Sequence, residues 1–319
     1  MKNRTLHITN NYPTANNPIF GIFVKEQIES LKELGLHGDV FFINGRELGK
    51  IEYLKSILRL RKTLKINKYD IIHCHHSFSA LVLLFSFITK KSKWIVSFQN
   101  DVKYEIPFFL FKFISAKFDL LIFKNRSEYT SLNKAAYLPN GVNMDFFKPI
   151  QMEYAKKALS LDLNKKYILF TSSNYVRQQK RYDRFKAVIE LIKETEPELN
   201  VEELVLTNVK RDLIPLYFNA SHIHLLCSDF EGSPNSVKEA MSCNTPVVST
   251  NVGNVQEMLE NVENCVVVDN FCENKLAEKI RIILKKNQKS NGRIHLISKK
   301  LDKTSVANEL LKYYNKLYE

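Results

Sequence analysis

Cysteine is scarce in this 319-residue chain, and what there is forms no pattern. Cys74, Cys227, Cys243, Cys265 and Cys272 are odd in number, far apart and never paired as Cys-x-x-Cys. That excludes a disulfide framework and a zinc ribbon and favours a reducing cytoplasm. Long apolar runs are missing too. The longest, residues 78–88 (FSALVLLFSFI), has 11 residues, against the roughly 20 that cross a bilayer as a helix, so it reads as a buried helix. No continuous apolar stretch follows the basic residues of the opening MKNRTLHITNNYPT, which predicts no secretory signal. Low-complexity tracts and short repeats are absent. So are zinc-finger, homeodomain and RNP signatures, and no Asp-x-Asp triplet occurs.

What is present is ordinary globular composition, 45% hydrophobic and 25% charged, enough apolar surface to fold and enough length for two domains. The net charge of +13 is uneven. Residues 1–148 hold 22 Lys and Arg against 12 Asp and Glu, or +10, whereas residues 149–319 hold 25 against 22, or +3. A basic first half attracts polyanions such as nucleic acid, an anionic leaflet or a lipid pyrophosphate, and is equally what freely used surface lysines produce.

Short apolar runs alternate with helical patterns throughout, the signature of βαβ units and a parallel sheet. The first half predicts strands at 5–8, 39–43, 71–75, 94–98 and 120–123. Between the first two, Phe23, Ile28, Leu31 and Leu34 recur near helical spacing until Gly35 ends the pattern. The second half predicts strands at 167–171, 203–207, 222–226, 246–249 and 265–268, with a helix at 182–193. Residues 139–149 (PNGVNMDFFKP) break both periodicities and mark a joint. The expected domains are 1–148, with a C-terminal helix at about 305–319, and 149–304, each Rossmann-like.

The stretch 228–259, SDFEGSPNSVKEAMSCNTPVVSTNVGNVQEML, carries the most chemistry. Glu231 and Glu239 are separated by seven residues, and a Gly-Ser-Pro-Asn-Ser loop opens a helix near 236–243. Glu231 then leaves a strand end and Glu239 sits about one turn into the helix. Free N–H groups and positive partial charge at such a helix start suit an anionic or hydroxyl-rich ligand.

These residues resemble the retaining glycosyltransferases of family 4, the glycosyl transferases group 1, in their Glu-x7-Glu, Ala-Met, Thr-Pro-Val-Val and glycine-turn pattern. Here it is supplied by Glu231, Glu239, Ala240, Met241, Thr245, Pro246, Val247, Val248 and Gly253. PNGV at 139–142, DIIHCHHS at 70–77 and NNPIFGIFVKEQ at 16–27, with Gly21 in its loop, resemble further family segments. The resemblance implies a GT-B fold: two Rossmann-like α/β domains facing a cleft, with the C-terminal helix crossing back to the N-terminal one. It implies a nucleotide-sugar donor on the C-terminal domain and an acceptor, near Gly21, on the N-terminal one.

By the same resemblance Glu239 holds the donor ribose, Glu231 lies beside the transferred sugar, and amides around Ser233, Pro234, Asn235 and Ser236 meet its hydroxyls. Arg177 and Lys180 of VRQQKR match the basic pair that clamps the diphosphate, with Arg181 able to share that role, although the family usually spaces the pair wider. Fixed cations stabilise a departing phosphate without metal, so no metal and no cofactor are expected.

One departure falls in WIVSFQNDV. Where the family often has a histidine near the acceptor side, this chain has Gln99, Asn100 and Asp101. Gln99 can position but cannot take a proton, and Asp101 is the substitute if a base is needed. Among His73, Cys74, His75 and His76, strand alternation puts His73 and His75 on one face and His76 on the other. With no acidic partner nearby in sequence, a metal site is not expected; His76 near the strand end is the candidate for a cleft role.

Residues 53–68 (YLKSILRLRKTLKINK) gather Leu54, Ile57, Leu58 and Leu64 near one face with Lys55, Arg59, Lys62 and Lys65 around it. Such a helix either settles on an anionic membrane surface or buries its stripe in a domain. The aromatic run 108–118 is expected to pack in the core.

The expected function is hexosyl transfer with retention, to a glycan or lipid-linked acceptor in bacterial capsule, lipopolysaccharide or exopolysaccharide assembly. The expected place is the cytoplasm, peripheral to the inner membrane face. A nucleotide-sugar epimerase of the same architecture and a non-enzymatic nucleic-acid-binding protein are the alternatives; no nucleic-acid partner is expected.

Overall fold

The computed structural model describes residues 4–126, 132–172 and 177–319. Two compact units emerge, Met1–Gly141 with Lys303–Glu319, and Val142–Asp302. Residues 142–148, which the sequence assigned to the first domain, therefore belong to the second. The physical reason lies in distant partners: Arg293 donates to the carbonyls of Phe147 (2.9 Å) and Met144 (3.0 Å), and Ser242 Oγ donates to Phe147 O (2.5 Å).

The first unit holds a six-stranded parallel sheet in the order β2-β1-β3-β4-β5-β6. Its strands are β1 (Thr5–Thr9), β2 (Gly38–Phe42), β3 (Ile71–Cys74), β4 (Lys93–Ser97), β5 (Leu120–Phe123) and β6 (Ala135–Tyr137). Runs such as IIHC and LLIF are wholly buried, as parallel strands covered on both faces must be. Ile72, Val96 and Leu121 face a core under the helices Ile51–Ile66, Ser77–Phe85 and Phe108–Lys117. Ile71, Ile95 and Ile122 face a second core with Leu31 of the helix Ile22–Glu33 and Val306, Leu310 and Tyr314 of the helix Lys303–Lys316. Gly35 closes Ile22–Glu33 as expected: its N–H reaches Lys32 O and that of Leu36 reaches Leu31 O, both at 3.0 Å.

The second unit repeats the plan with five parallel strands in the order β11-β10-β9-β7-β8. They are β7 (Lys166–Thr171), β8 (Val201–Leu206), β9 (Ile223–Leu226), β10 (Val247–Thr250) and β11 (Val266–Val268). In both sheets the order reverses beside the first strand, between β1 and β3 and between β7 and β9. Ligands of open α/β sheets bind outside the carboxyl ends of the strands at such a reversal.

Two expectations fail in part. In the apolar run 78–88 the helix is Ser77–Phe85, and Phe78, Phe85 and Phe87 are exposed. In the aromatic run 108–118, Ile114 and Phe118 are buried, but Phe108, Phe109 and Phe113 face outward.

Candidate functional site

In the second unit the loop after β9 and the turn after β7 meet at the sheet reversal. The carboxylate oxygen Oε1 of Glu231 accepts from Lys180 Nζ at 2.5 Å and from Ser228 Oγ at 2.8 Å. Both partners of the ion pair are largely buried, with 13% and 10% of their side chains exposed. Gln179 laces the two segments together: its side-chain amide donates to Phe230 O (2.6 Å) and its backbone carbonyl accepts from Asp229 N (2.9 Å). Arg181 and Arg184 converge on the Asp229 carboxylate at 3.2 and 2.8 Å, and Arg181 also holds Asp183 at 2.7 Å. Arg177 is exposed and donates to Gln179 Oε1 at 2.9 Å. Residues 173–176 lie outside the described residues.

Gly232, Ser233 and Pro234 lead into the helix Asn235–Ser242, which carries Glu239 half-buried in its second turn. Ser236 Oγ lies 3.1 Å from His224 Nε2, and His224 Nδ1 lies 3.2 Å from Leu169 O. Burial pushes His224 down to about 4, so it is neutral. A carbonyl only accepts, which puts the proton on Nδ1 and leaves Nε2 to accept from the Ser236 hydroxyl. Among the described residues the buried side-chain oxygen of Asn235 has no hydrogen-bond partner. Lys238, fully buried inside the Glu-x7-Glu interval, donates to Ser233 Oγ at 2.9 Å. Sequence reasoning passed over Lys238, Ser228 and Gln179, although Lys238 stands inside the motif.

In the first unit His76 and Gln99, at the carboxyl edge of β3 and β4, meet a residue the sequence did not single out, and Asp101 precedes the short helix Val102–Glu105 that carries it. The buried Glu105 carboxylate accepts from the backbone N–H groups of Gln99, of Asn100 (2.8 Å) and of Ser77 (3.3 Å), and lies 3.8 Å from His76 Nε2. His76 Nδ1 accepts from Phe78 N at 3.3 Å, capping the helix Ser77–Phe85. Gln99 Oε1 accepts from Asn140 Nδ2 at 3.2 Å, tying the loop to the Pro-Asn-Gly segment. Burial raises the Asp101 carboxyl, and a hydrogen bond from Asn125 opposes the rise. Gly21 precedes the helix Ile22–Glu33, so close to the Asn11 backbone that a Cβ would overlap it.

His73 and His75 share a face, as alternation requires, and β1 adds His7 to them. The three buried imidazoles bring ring nitrogens within 4.8 Å of one another, a grouping able to hold a metal ion. Their nitrogens are engaged: His73 with Tyr314 OH (2.7 Å) and Ser97 Oγ (2.8 Å), His7 Nδ1 with His75 Nε2 (3.0 Å). A cation here must break those bonds. Burial lowers all three, His7 to about 4, so they are neutral acceptors and donors of a packed core.

Lys124, fully buried at the end of β5, donates to Leu138 O at 2.9 Å. Burial pushes it down to about 7, with Glu105 pulling the other way. An unfolded lysine titrates near 10.4, so from about pH 7 to 10 the unfolded chain holds more protons and stability rises with pH, by at most about 1.4 kcal/mol per unit. Lys124→Met should flatten that rise in denaturant melts at pH 7 and 9. An unchanged slope would mean the ammonium is solvated.

The family model described as Glycosyl transferase 4-like matches residues 23–125, in the first unit, and that described as Glycosyl transferases group 1 matches residues 183–297, in the second. The chain belongs to the group 1 glycosyltransferases. This glycosyltransferase is 24% identical over 338 residues to an uncharacterised 41.2 kDa protein of the cps region of Klebsiella pneumoniae, covering 94% of this chain and 93% of that protein. It is also 24% identical over 267 residues to the Escherichia coli UDP-Gal:alpha-D-GlcNAc-diphosphoundecaprenol alpha-1,3-galactosyltransferase, covering 71% and 67% of the two chains. Among solved structures it resembles a sucrose-phosphate synthase from Thermosynechococcus elongatus, with a TM-score of 0.79 and 17% identity over 99% of each chain. That likeness is one of fold, the two-domain GT-B type that the glycosyltransferase's sequence implied.

Proposed function

We propose that the chain transfers a hexose-type unit, with retention of configuration, from a nucleotide-diphosphate sugar to a glycan or lipid-linked acceptor in bacterial surface polysaccharide assembly. The observation that carries this is the joining of Lys180, Glu231 and Ser228 at the β7/β9 reversal, directly before the helix that bears Glu239. The second unit takes the donor. Lys180 and Arg177 meet the diphosphate, Glu239 the ribose, Glu231 the transferred sugar, and the segment Ser233, Pro234, Asn235 and Ser236 its hydroxyls. The buried Asn235 oxygen, which has no partner among the described residues, is a group that a ligand hydroxyl would satisfy after a small shift.

The first unit takes the acceptor, with Gly21 in its loop and His76, Gln99 and Asp101 at its strand ends. Asp101, its carboxyl raised by burial, is the better placed of these to accept a proton. The names of the relatives support the setting: one acts with UDP-Gal on a diphosphoundecaprenol-linked acceptor, the other comes from a cps region. No helix among the described residues is long and apolar enough to cross a membrane. The proposed place is the cytoplasmic membrane face, held peripherally.

Thermal unfolding with UDP-, GDP- and ADP-sugars tests the reading, since a donor at 100 times its Kd adds about 2.7 kcal/mol of stability. One donor class should raise Tm, and turnover with acceptor should persist in excess chelator because the cations are side chains. Loss restored by magnesium or manganese would sink the metal-free reaction. Donor consumption without acceptor would point to an epimerase.

A further inference from the structure

The helix Ile51–Ile66 buries Leu60 together with two polar residues and leaves several large apolar ones outside. Glu52 and Ser56 are buried, bonded to each other at 3.1 Å, with Arg59 closing on Glu52 at 2.9 Å. Ile51, Leu54 and Leu58 are 60%, 66% and 70% exposed. Of the stripe read from sequence, only Ile57 and Leu64 pack on the core.

The two neighbouring helices behave alike. Phe87 is 75% exposed just past the helix Ser77–Phe85, and Phe108 and Phe109 are 67% and 69% exposed at the start of Phe108–Lys117. Tyr53 meets Phe78 edge-on at 5.9 Å and Phe85 lies 6.5 Å from Phe113, so the three helices share one surface. Large apolar side chains exposed on three neighbouring helices mark an interaction surface.

The segment that builds these helices is basic, although Lys90 pairs with Asp119 just beyond it. Residues 50–118 carry 13 Lys and Arg against four Asp and Glu, or +9. Two of the four acids, Glu52 and Glu105, keep their side chains buried. Lys112 Nζ stands 4.9 Å from the Phe108 ring centre and Lys103 Nζ 4.8 Å from that of Tyr104. Aromatic anchors interleaved with lysines match a bilayer: rings enter the headgroup boundary while ammonium groups stay at phosphate level.

We propose that this three-helix face docks on an anionic lipid bilayer, with Phe87, Phe108, Phe109, Leu54 and Leu58 entering the headgroup boundary. The proposal assigns a surface to the peripheral localisation proposed above and rests on that localisation, not on the sugar transferred.

Co-sedimentation of the full chain with phosphatidylcholine vesicles, with and without phosphatidylglycerol, tests it. The chain should pellet only with the anionic vesicles and be released by salt. The double variant Phe108→Ser, Phe109→Ser should lose about tenfold or more in partitioning, as should Lys103→Glu with Lys112→Glu. All four positions are exposed, so Tm and the nucleotide-sugar shift should stay at wild-type values. Equal binding to neutral vesicles, binding to neither, or variants that partition like wild type would overturn the proposal. So would a lipid-free dimer, seen by light scattering, that the phenylalanine variant dissolves while vesicle binding is absent. Vesicle binding in a chain that no nucleotide-sugar stabilises would support docking and count against the proposed transfer reaction.

Discussion

Glu231→Gln is expected to lower kcat by about two to three orders of magnitude while donor KM changes only a few-fold. In the proposed reaction positive charge develops at the anomeric carbon beside this carboxylate. Glutamine keeps the shape, and its oxygen can still accept from Ser228 Oγ, but the charge that stabilises the transition state is gone. The variant also releases Lys180 from its 2.5 Å ion pair, which leaves that cation free for the donor diphosphate and limits any loss of binding. Glu239→Ala should do the opposite. Contacts to a ribose are made equally before and during the reaction, so losing them raises KM, by about tenfold or more at about 1.5 to 3 kcal/mol per charged hydrogen bond, and leaves kcat nearly intact. Steady-state kinetics on both variants, folded by circular dichroism, decides. A reversed pattern exchanges the two roles, and two unimpaired variants remove the donor site from this motif.

Gly253→Ala should be nearly as damaging, by a different route. Gly253 has φ of 56°, where a side chain is strained, at a cost of about 1 to 3 kcal/mol. Its missing Cβ is also the space used by the loop: an added carbon would overlap Gly232 O and sit 2.8 Å from Glu231 O. The Asn254 N–H donates to Gly232 O at 3.1 Å, so the turn cannot retreat without losing the bond that holds the loop. Donor affinity should fall more than tenfold along with a lowered Tm. Nucleotide-sugar titration and thermal unfolding of the variant check this; wild-type donor affinity would show that the loop absorbs the carbon.

The inner strands β3, β4 and β5 were legible because burial on both faces makes them largely apolar, and five of the six strands, the edge strand β2 with its exposed Asp39 and Val40 among them, lie within a residue or so of where the sequence puts them. The sixth, Ala135–Tyr137, is three residues long with two alanines and offers no such run. The placing of Glu231 after a strand and of Glu239 in the following helix was legible from their spacing and the loop between them. Lys180 was singled out too, but not its pairing with Glu231, because Lys180 reaches Glu231 across 51 positions and the unremarked Gln179 reaches Phe230 across the same distance. The histidine cluster needed the β1–β3 register, which sets His7 opposite His73. Helical periodicity revealed that residues 51–66 have two faces but not that Glu52 would take the inner one, a choice made by Arg59 and Ser56 closing around it.

The helix Lys303–Lys316 covers one face of the first sheet, yet it is synthesised after the whole of Val142–Asp302. Domains ordinarily fold in the order in which they leave the ribosome. Here the order is inverted: the second unit has all its residues while the first still lacks one wall of its core. Val306, Leu310 and the Tyr314 hydroxyl that engages His73 are delivered only after the whole of the second unit. The core on the His7, His73 and His75 side of the sheet therefore waits for the helix Lys303–Lys316, and the unit begun first is completed after the unit begun second.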